Sequence, residues 1–371
     1  VNSIGDIGEA LRREHPELGA VRAASEDPVY LVGGAVRDLL LGRPRADVDL
    51  VVVGDAATLA RKLGADPVEH ERFATAKVEL DGHEVDIATA RSETYARPGA
   101  LPDVAPAADV ETDLARRDFT INAIALPLRD DPDPIDPFEG RADLEAGLLR
   151  VLHERSFEDD PTRAIRAARY AARFGFALEA GTEALVRCAK RTTVSNDRWQ
   201  AELMRLAAED EAARGFELLG EWGLVELRPG GAALVERVTE LLSEPAWREF
   251  VADQRDHAVL VAALGPPAGE AALLDARPER PSVGFELARR RPTFELALAR
   301  ALGAEWLDRY VSEWRDVRLA IDGYDLIAAG LQQGPAVGRG LEEALRRKLD
   351  GEIAGRDEEL AVALAAAREG R

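Results

Sequence analysis

The chain reads Val29-Tyr30-Leu31-Val32-Gly33-Gly34-Ala35-Val36-Arg37-Asp38 and, after a short interval, Asp47-Val48-Asp49-Leu50-Val51-Val52-Val53. The first segment is an apolar strand that runs into paired glycines and then into a helical stretch ending near Gly42. Strand, paired glycines and helix together let backbone N–H groups approach an anion at the helix start. Arg37 sits one turn into that helix, within reach of the same anion. Gly33-Gly34 alone equally marks a tight turn, and the run is not GxGxxG, so the dinucleotide fingerprint is absent. The second segment is a strand that opens with two acids. Side chains alternate along a strand, so Asp47 and Asp49 share one face while Val48 and Leu50 share the other. Lys77–Leu80 and Glu84–Ala88 read as further strands of this region.

Two carboxylates this close repel unless a cation lies between them, and hard oxygen ligands favour Mg²⁺. Asp86 points away from its neighbours Val85 and Ile87. If its strand lies beside that of Asp49, it completes a three-carboxylate group suited to phosphoryl transfer. A polar strand edge is the competing account of each acid.

Composition bounds what surrounds this region. The chain has 371 residues, with 48 basic and 69 acidic side chains and a formal charge of −21. That balance repels polyanions, but screening confines the repulsion to about 8 Å at physiological salt, so a local basic strip still functions. A hydrophobic content of 46% supplies material for buried cores, which excludes a tail-like disordered chain. The single cysteine, Cys188, excludes a disulfide framework and a CxxC zinc site. The most apolar run, from Ala258 to Leu274, is broken by Gly265-Pro266-Pro267 and Glu270. The early acids Asp6 and Glu9 do not suit a signal segment. The expectation is a soluble, cytoplasmic protein with no membrane partner.

Proline and glycine punctuate the front of the chain, at Arg97-Pro98-Gly99 and Asp131-Pro132-Asp133-Pro134. From Asp160 to about Leu206 the pattern turns helical, and beyond it the sequence is rich in Ala, Leu, Glu and Arg. Loops are expected near Leu227–Gly231, Gly265–Gly269 and Pro278–Gly284.

Leu31-Val-Gly-Gly-Ala-Val-Arg-Asp38 with Asp47-Val-Asp49 resembles the first motif of class II tRNA nucleotidyltransferases, the CCA-adding enzymes and bacterial poly(A) polymerases of the polymerase-β-like superfamily. Arg116-Arg-Asp-Phe-Thr-Ile-Asn-Ala123 resembles their sugar and triphosphate motif, and Asp136-Pro-Phe-Glu-Gly140 their hinge. Asp159-Asp-Pro-Thr-Arg163, with Arg166 and Arg169, resembles the nucleotide-selecting motif, and Ser195-Asn-Asp-Arg198 with Glu202-Leu203 the neck motif. The resemblance implies an α+β fold: a head with a mixed five-stranded sheet and helices, then an all-helical neck, body and tail. The corresponding limits are residues 1–150, 151–206 and 207–371. It implies Mg²⁺ at Asp47 and Asp49 with Asp86 as third carboxylate. The triphosphate falls to Gly33, Gly34 and Arg37, and sugar positioning to Arg117, Asp118 and Asn122. It implies tRNA, CTP and ATP as partners and CCA addition as the activity.

Asp160-Pro161 reads as a helix start with Asp as N-cap, which puts Arg163 on the same side of the first turn. Cytosine and adenine both present an amino donor beside a ring-nitrogen acceptor. A carboxylate accepts from the first and a guanidinium donates to the second, whereas uracil and guanine place a carbonyl against the carboxylate. Arg166, Arg169 and Arg173 continue as one basic strip, and Arg187, Lys190 and Arg191 form a second cluster suited to an RNA backbone. The segment Arg91–Asp113 reads as a mobile loop near the site. Two positions depart from the family pattern: Asp159 stands for the usual Glu, and Glu139 for one hinge glycine. Full CCA addition, CC-only or A-only addition, poly(A) synthesis and a non-catalytic RNA-binding relative all remain open. An appended phosphohydrolase is excluded, because no His-Asp dipeptide occurs.

Overall fold

The computed structural model describes residues 4–43, 47–64, 75–129, 132–265 and 270–369. Asp131 of the expected Pro-rich turn and residues 266–269 of the expected loop lie outside them. Two compact units emerge, Val1–Val225 and Glu226–Arg371.

The first unit opens with helices α1 (Ile4–Glu14) and α2 (Leu18–Ala24), then β1 (Val29–Val32), α3 (Gly34–Leu40), β2 (Val48–Val52) and α4 (Ala56–Lys62). Next come β3 (Thr75–Leu80), β4 (His83–Thr89), β5 (Arg91–Thr94), β6 (Asp103–Pro106), α5 (Val110–Ala115) and β7 (Ala125–Pro127). The five-stranded sheet has the order β3-β4-β2-β1-β7. It is mixed: β2 runs parallel to β4 and antiparallel to β1. The alternation expected of β2 is present, with Val48, Leu50, Val51 and Val52 buried and Asp49 exposed. Each of those buried side chains contributes roughly 1.5–3 kcal/mol, which fixes the register and therefore the face on which Asp49 stands.

The segment Arg91–Asp113, expected as a mobile loop, is ordered structure. β5 and β6 pair as an antiparallel hairpin, Arg91 opposite Pro106 and Thr94 opposite Asp103, and α5 follows. Val110 and Leu114 of α5 anchor it by burying against Val32, Val51, Ala90, Ala123 and Ala125.

The unit continues with α6 (Gly140–Ala146), β8 (Leu148–Leu149), α7 (Ser156–Asp159) and α8 (Arg163–Phe174). β9 (Ala177–Leu178), α9 (Ala180–Val186), α10 (Asn196–Ala207) and α11 (Ala212–Glu221) complete it. The expected limits at residues 150 and 206 both fall inside this unit, where α10 and α11 pack on α8. α8 starts at Arg163, later than the expected Asp160-Pro161 start. Asp160 instead closes the preceding turn, its Oδ1 accepting from Thr162 N at 3.0 Å and Thr162 Oγ1 at 2.7 Å. In the segment expected to be a hinge, Asp136 accepts from the N–H groups of Gly140 and Arg141, and Glu139 takes a left-handed φ of +59°. A glycine there would be unstrained.

The second unit is helical through its described residues, from Gly231–Leu241 to Arg356–Glu369. The expected loop Pro278–Gly284 gives way to a helix at Pro281, which occupies the first turn where its missing N–H costs nothing. Among the described residues, no helix is long and apolar enough to cross a membrane.

Candidate active site

One cavity of about 700 Å³ in the first unit is lined by the strand acids Asp47 and Asp49, the paired glycines, and residues of α8 and α10. Asp47 and Asp49 both open onto it. Asp86 stands directly beside Asp49 in the parallel β2–β4 register, as the sequence pattern allowed, but it is not part of the cavity lining. It faces Lys77, whose Nζ lies 3.5 Å from Asp86 Oδ1. Among the described residues no three His, Cys, Asp or Glu side chains converge into a metal cage. Surrounding protein raises the Asp49 carboxyl above its ordinary pKa, and Asp86 and Asp47 add to the rise while Arg117 opposes it. Crowded carboxylates of this kind are the donor set a divalent cation satisfies.

Gly33 adopts φ +67°, which favours glycine, and a Cβ there would lie 2.8 Å from Arg117 Nη1, so that guanidinium would have to shift. Arg117 is steered by its Nη2, which donates to Asp113 Oδ2 at 2.9 Å, while its buried Nε has no hydrogen-bond partner among the described residues. Arg116 meets the same carboxylate, Nη2 to Asp113 Oδ1 at 2.8 Å, and also Glu93 at 2.9 Å. Burial opposes ionisation of Asp113, but the two arginines outweigh it and hold its pKa below the ordinary value.

Arg37, from α3, is buried and clamped. Its Nε and Nη2 donate to Asp38 at 2.8 and 3.0 Å, and Nη1 donates to Asn122 Oδ1 at 2.7 Å. Asn122 Nδ2 then donates to Asp118 Oδ1 at 2.9 Å, and Arg166 Nε donates to Asp118 Oδ2 at 2.8 Å. The network fixes the Asn122 amide orientation, because only its oxygen can face a guanidinium and only its nitrogen a carboxylate. Burial acts to raise the Asp118 pKa, yet Arg166 and Asn122 bring it down to about 2. A continuous chain of charge-assisted bonds therefore joins α3 to α8.

The residues expected to select the nucleotide are arranged differently from expectation. Asp160 and Arg163 both line the cavity but do not pair with each other. Asp160 Oδ2 takes Arg198 Nη2 at 2.9 Å. Arg163 is buried, donating Nη1 to Ser156 Oγ at 2.7 Å and Nη2 to the Arg116 carbonyl at 2.8 Å. The i,i+3 pair does not form because α8 begins at Arg163, which turns its side chain inward. The basic strip is also partnered: Arg169 meets Glu202 at 3.3 Å and Glu209 at 3.5 Å, and Arg173 meets Glu209 at 2.9 Å. In the second basic cluster Arg187 is held by the Glu221 carbonyl and by Glu183, whereas Lys190 is exposed.

Sequence reading missed several lining residues. Tyr95 projects from the β5–β6 hairpin, donates to Glu93 at 3.0 Å, and burial helps push its pKa to about 12. Glu202, quoted in the neck motif but given no place at the site, gathers Arg166, Arg169 and Arg205. Arg198 lies inside a quoted motif, so its presence was visible although its partner was not. For Tyr170, helical spacing from Arg166 was the only available signal.

A family model for the poly A polymerase head domain matches residues 29–150. An A-adding tRNA nucleotidyltransferase from Halalkalibacterium halodurans is 40% identical over 235 residues, 59% of this chain and 55% of that protein. A CC-adding tRNA nucleotidyltransferase from Deinococcus radiodurans is 34% identical over 354 residues, 91% of this chain and 89% of that protein. Among solved structures, a CCA-adding enzyme in apo form II matches with a TM-score of 0.81 at 28% identity, covering 97% of this chain and 98% of that one. The chain spans about half the length of the A-adding relatives it matches. With a match that runs nearly end to end in the Deinococcus protein, the chain belongs to the tRNA nucleotidyltransferase family.

Proposed function

We propose that this chain adds C and A nucleotides, without a nucleic-acid template, to the 3′ end of tRNA from CTP and ATP, releasing pyrophosphate. The observation that carries the reading is the single cavity in which the paired strand carboxylates Asp47 and Asp49 face the arginines of α8. Acids of this kind suit the metal-assisted attack of a hydroxyl, and the arginines suit a triphosphate and a base. The like-charge crowding at Asp49 favours Mg²⁺ at Asp47 and Asp49, with Asp86 adding negative charge from the neighbouring strand. When bound, the ion supplies Lewis-acid neutralisation of the transferred and departing phosphates.

Within this reading Arg37 grips the triphosphate beside Gly33 and Gly34, and Arg117 helps position the sugar. Asp118 and Asn122 orient the sugar, and Arg166 and Arg169 assist. Asp160 accepts from the amino group shared by cytosine and adenine, and Arg163 donates to the ring nitrogen. A base that offers a carbonyl instead leaves polar groups unpaired. Residues 1–150 act as the catalytic head and 151–206 as the nucleotide-selecting neck. Residues 207–371, with Arg187, Lys190 and Arg191, hold the tRNA, and the reaction takes place in the cytoplasm.

The test offers tRNAs ending before CCA, after C and after CC, with labelled CTP or ATP in Mg²⁺. Completion of CCA on the first supports full addition. Incorporation confined to the CC-ended tRNA marks an A-adding enzyme, and arrest after CC marks a CC-adding one. Long ATP tracts mark a poly(A) polymerase, and inertness on every acceptor overturns the proposal.

A further inference from the structure

Tyr170 lies between the assigned arginines of α8 without a role of its own. It is 6% exposed and lines the cavity. Phe119 meets its ring edge-on at 5.9 Å, and Phe174 stacks on it at 6.0 Å. The guanidinium carbons of Arg37, Arg166 and Arg169 lie 5.3, 5.5 and 5.1 Å from the ring centre. The hydroxyl oxygen accepts from Arg166 Nη2 at 2.9 Å and from Arg169 Nη2 at 3.4 Å.

A phenol oxygen has two acceptor positions and one hydrogen. Both acceptor positions are taken here by guanidinium groups, which cannot accept in return. Among the described residues no acceptor receives the Tyr170 hydrogen. A donor held this deeply without a partner is costly, so a ligand that supplies the acceptor is favoured. Arg37, Arg166 and Arg169 are each paired with a carboxylate, Asp38, Asp118 and Glu202, but the cavity lining as a whole carries nine arginines against six carboxylates, and that excess favours an anionic oxygen over a neutral one.

We propose that the Tyr170 hydroxyl is a further substrate-binding group, donating its hydrogen to an oxygen of the nucleotide's β- or γ-phosphate while its own oxygen fixes Arg166 and Arg169. This rests on the reading of the cavity as a nucleoside triphosphate site.

Tyr170→Phe keeps the ring and removes only the hydroxyl. Equilibrium binding of CTP and CMP without tRNA should show CTP affinity reduced about tenfold and CMP affinity changed less than twofold. CTP affinity within twofold of the parent, or equal losses for CTP and CMP, would overturn the assignment. The same comparison is made with ATP and AMP, and a parent chain that binds neither CTP nor ATP overturns the nucleotide reading as well, so the two failures are distinguishable. An independent readout uses 3-fluorotyrosine at position 170, which retains the hydroxyl and its arginine contacts. Its fluorine resonance should shift on adding CTP and stay in place on adding cytidine; a resonance that ignores CTP sinks the proposal without any deletion.

Discussion

Asp160 is held by Arg198, 2.9 Å away, and the same guanidinium donates from Nη1 to the Gly99 carbonyl at 3.0 Å. The carboxylate proposed to read the base is thus tied to the tip of the β5–β6 hairpin. Gly99 N in turn donates at 3.2 Å to the carbonyls of Glu158 and Asp159, which ties the hairpin tip to the turn before α8. Arg198→Ala should free Asp160 and raise UTP and GTP incorporation relative to CTP and ATP about tenfold, read by competitive single-nucleotide assays. Selectivity equal to the parent would show that Asp160 is positioned by other contacts.

Gly99 is the close-approach point of that link. Its φ is +68°, and a Cβ there would lie 2.1 Å from the Thr193 carbonyl oxygen. Gly99→Ala should therefore lower stability by about 1–3 kcal/mol, measured by thermal melting. Relaxed base selectivity should accompany it, because the Arg198 acceptor shifts with the tip.

Asp49 and Asp47 carry the proposed chemistry. Asp49→Asn keeps the size of the side chain and removes its charge, so nucleotide incorporation in Mg²⁺ should fall at least about a thousandfold, as expected when charge stabilisation of phosphoryl transfer is lost. Melting temperature should hold or rise, since a like-charge contact is relieved. A variant with near-parental incorporation would refute the metal assignment.

Asp118, at about 2, has a folded-state pKa depressed below its unfolded value of about 3.9. Its ionised form therefore stabilises the native state fully above about pH 5, and that contribution disappears as pH falls towards 2. The linkage is worth about 2–3 kcal/mol. Comparing the parent with Asp118→Asn, the gap in melting temperature should be widest near pH 7 and should narrow below pH 4. A gap independent of pH would mean that the Arg166 pairing does not stabilise the fold.

Glu139 holds φ +59° just before α6, where its side chain makes no cap to the following helix. Glu139→Gly should remove a backbone penalty of about 1 kcal/mol and raise the melting temperature. A drop would show that the carboxylate has a stabilising partner in solution.

The alternation of Asp47 and Asp49 with buried Val48 and Leu50, and the glycine pair at the start of α3, were determined by the sequence itself. They follow from local rules: the two-residue period of a strand and the freedom of glycine at positive φ. Strand neighbours were only half legible, since placing Asp86 beside Asp49 required knowing that β4 lies parallel to β2.

What tertiary structure alone decided is which charges meet. Spacing paired Asp160 with Arg163 and left Arg166, Arg169 and Arg173 as an open basic strip. In the fold Asp160 turns to Arg198, Arg163 to Ser156 and the Arg116 carbonyl, and Arg166 to Asp118. Long flexible side chains choose partners by desolvation and by whichever counter-charge packing brings within reach, and those counter-charges come from segments far apart in the chain. The same packing converted Arg91–Asp113 from an apparent loop into a hairpin and helix, because Val110 and Leu114 had a distant core in which to bury.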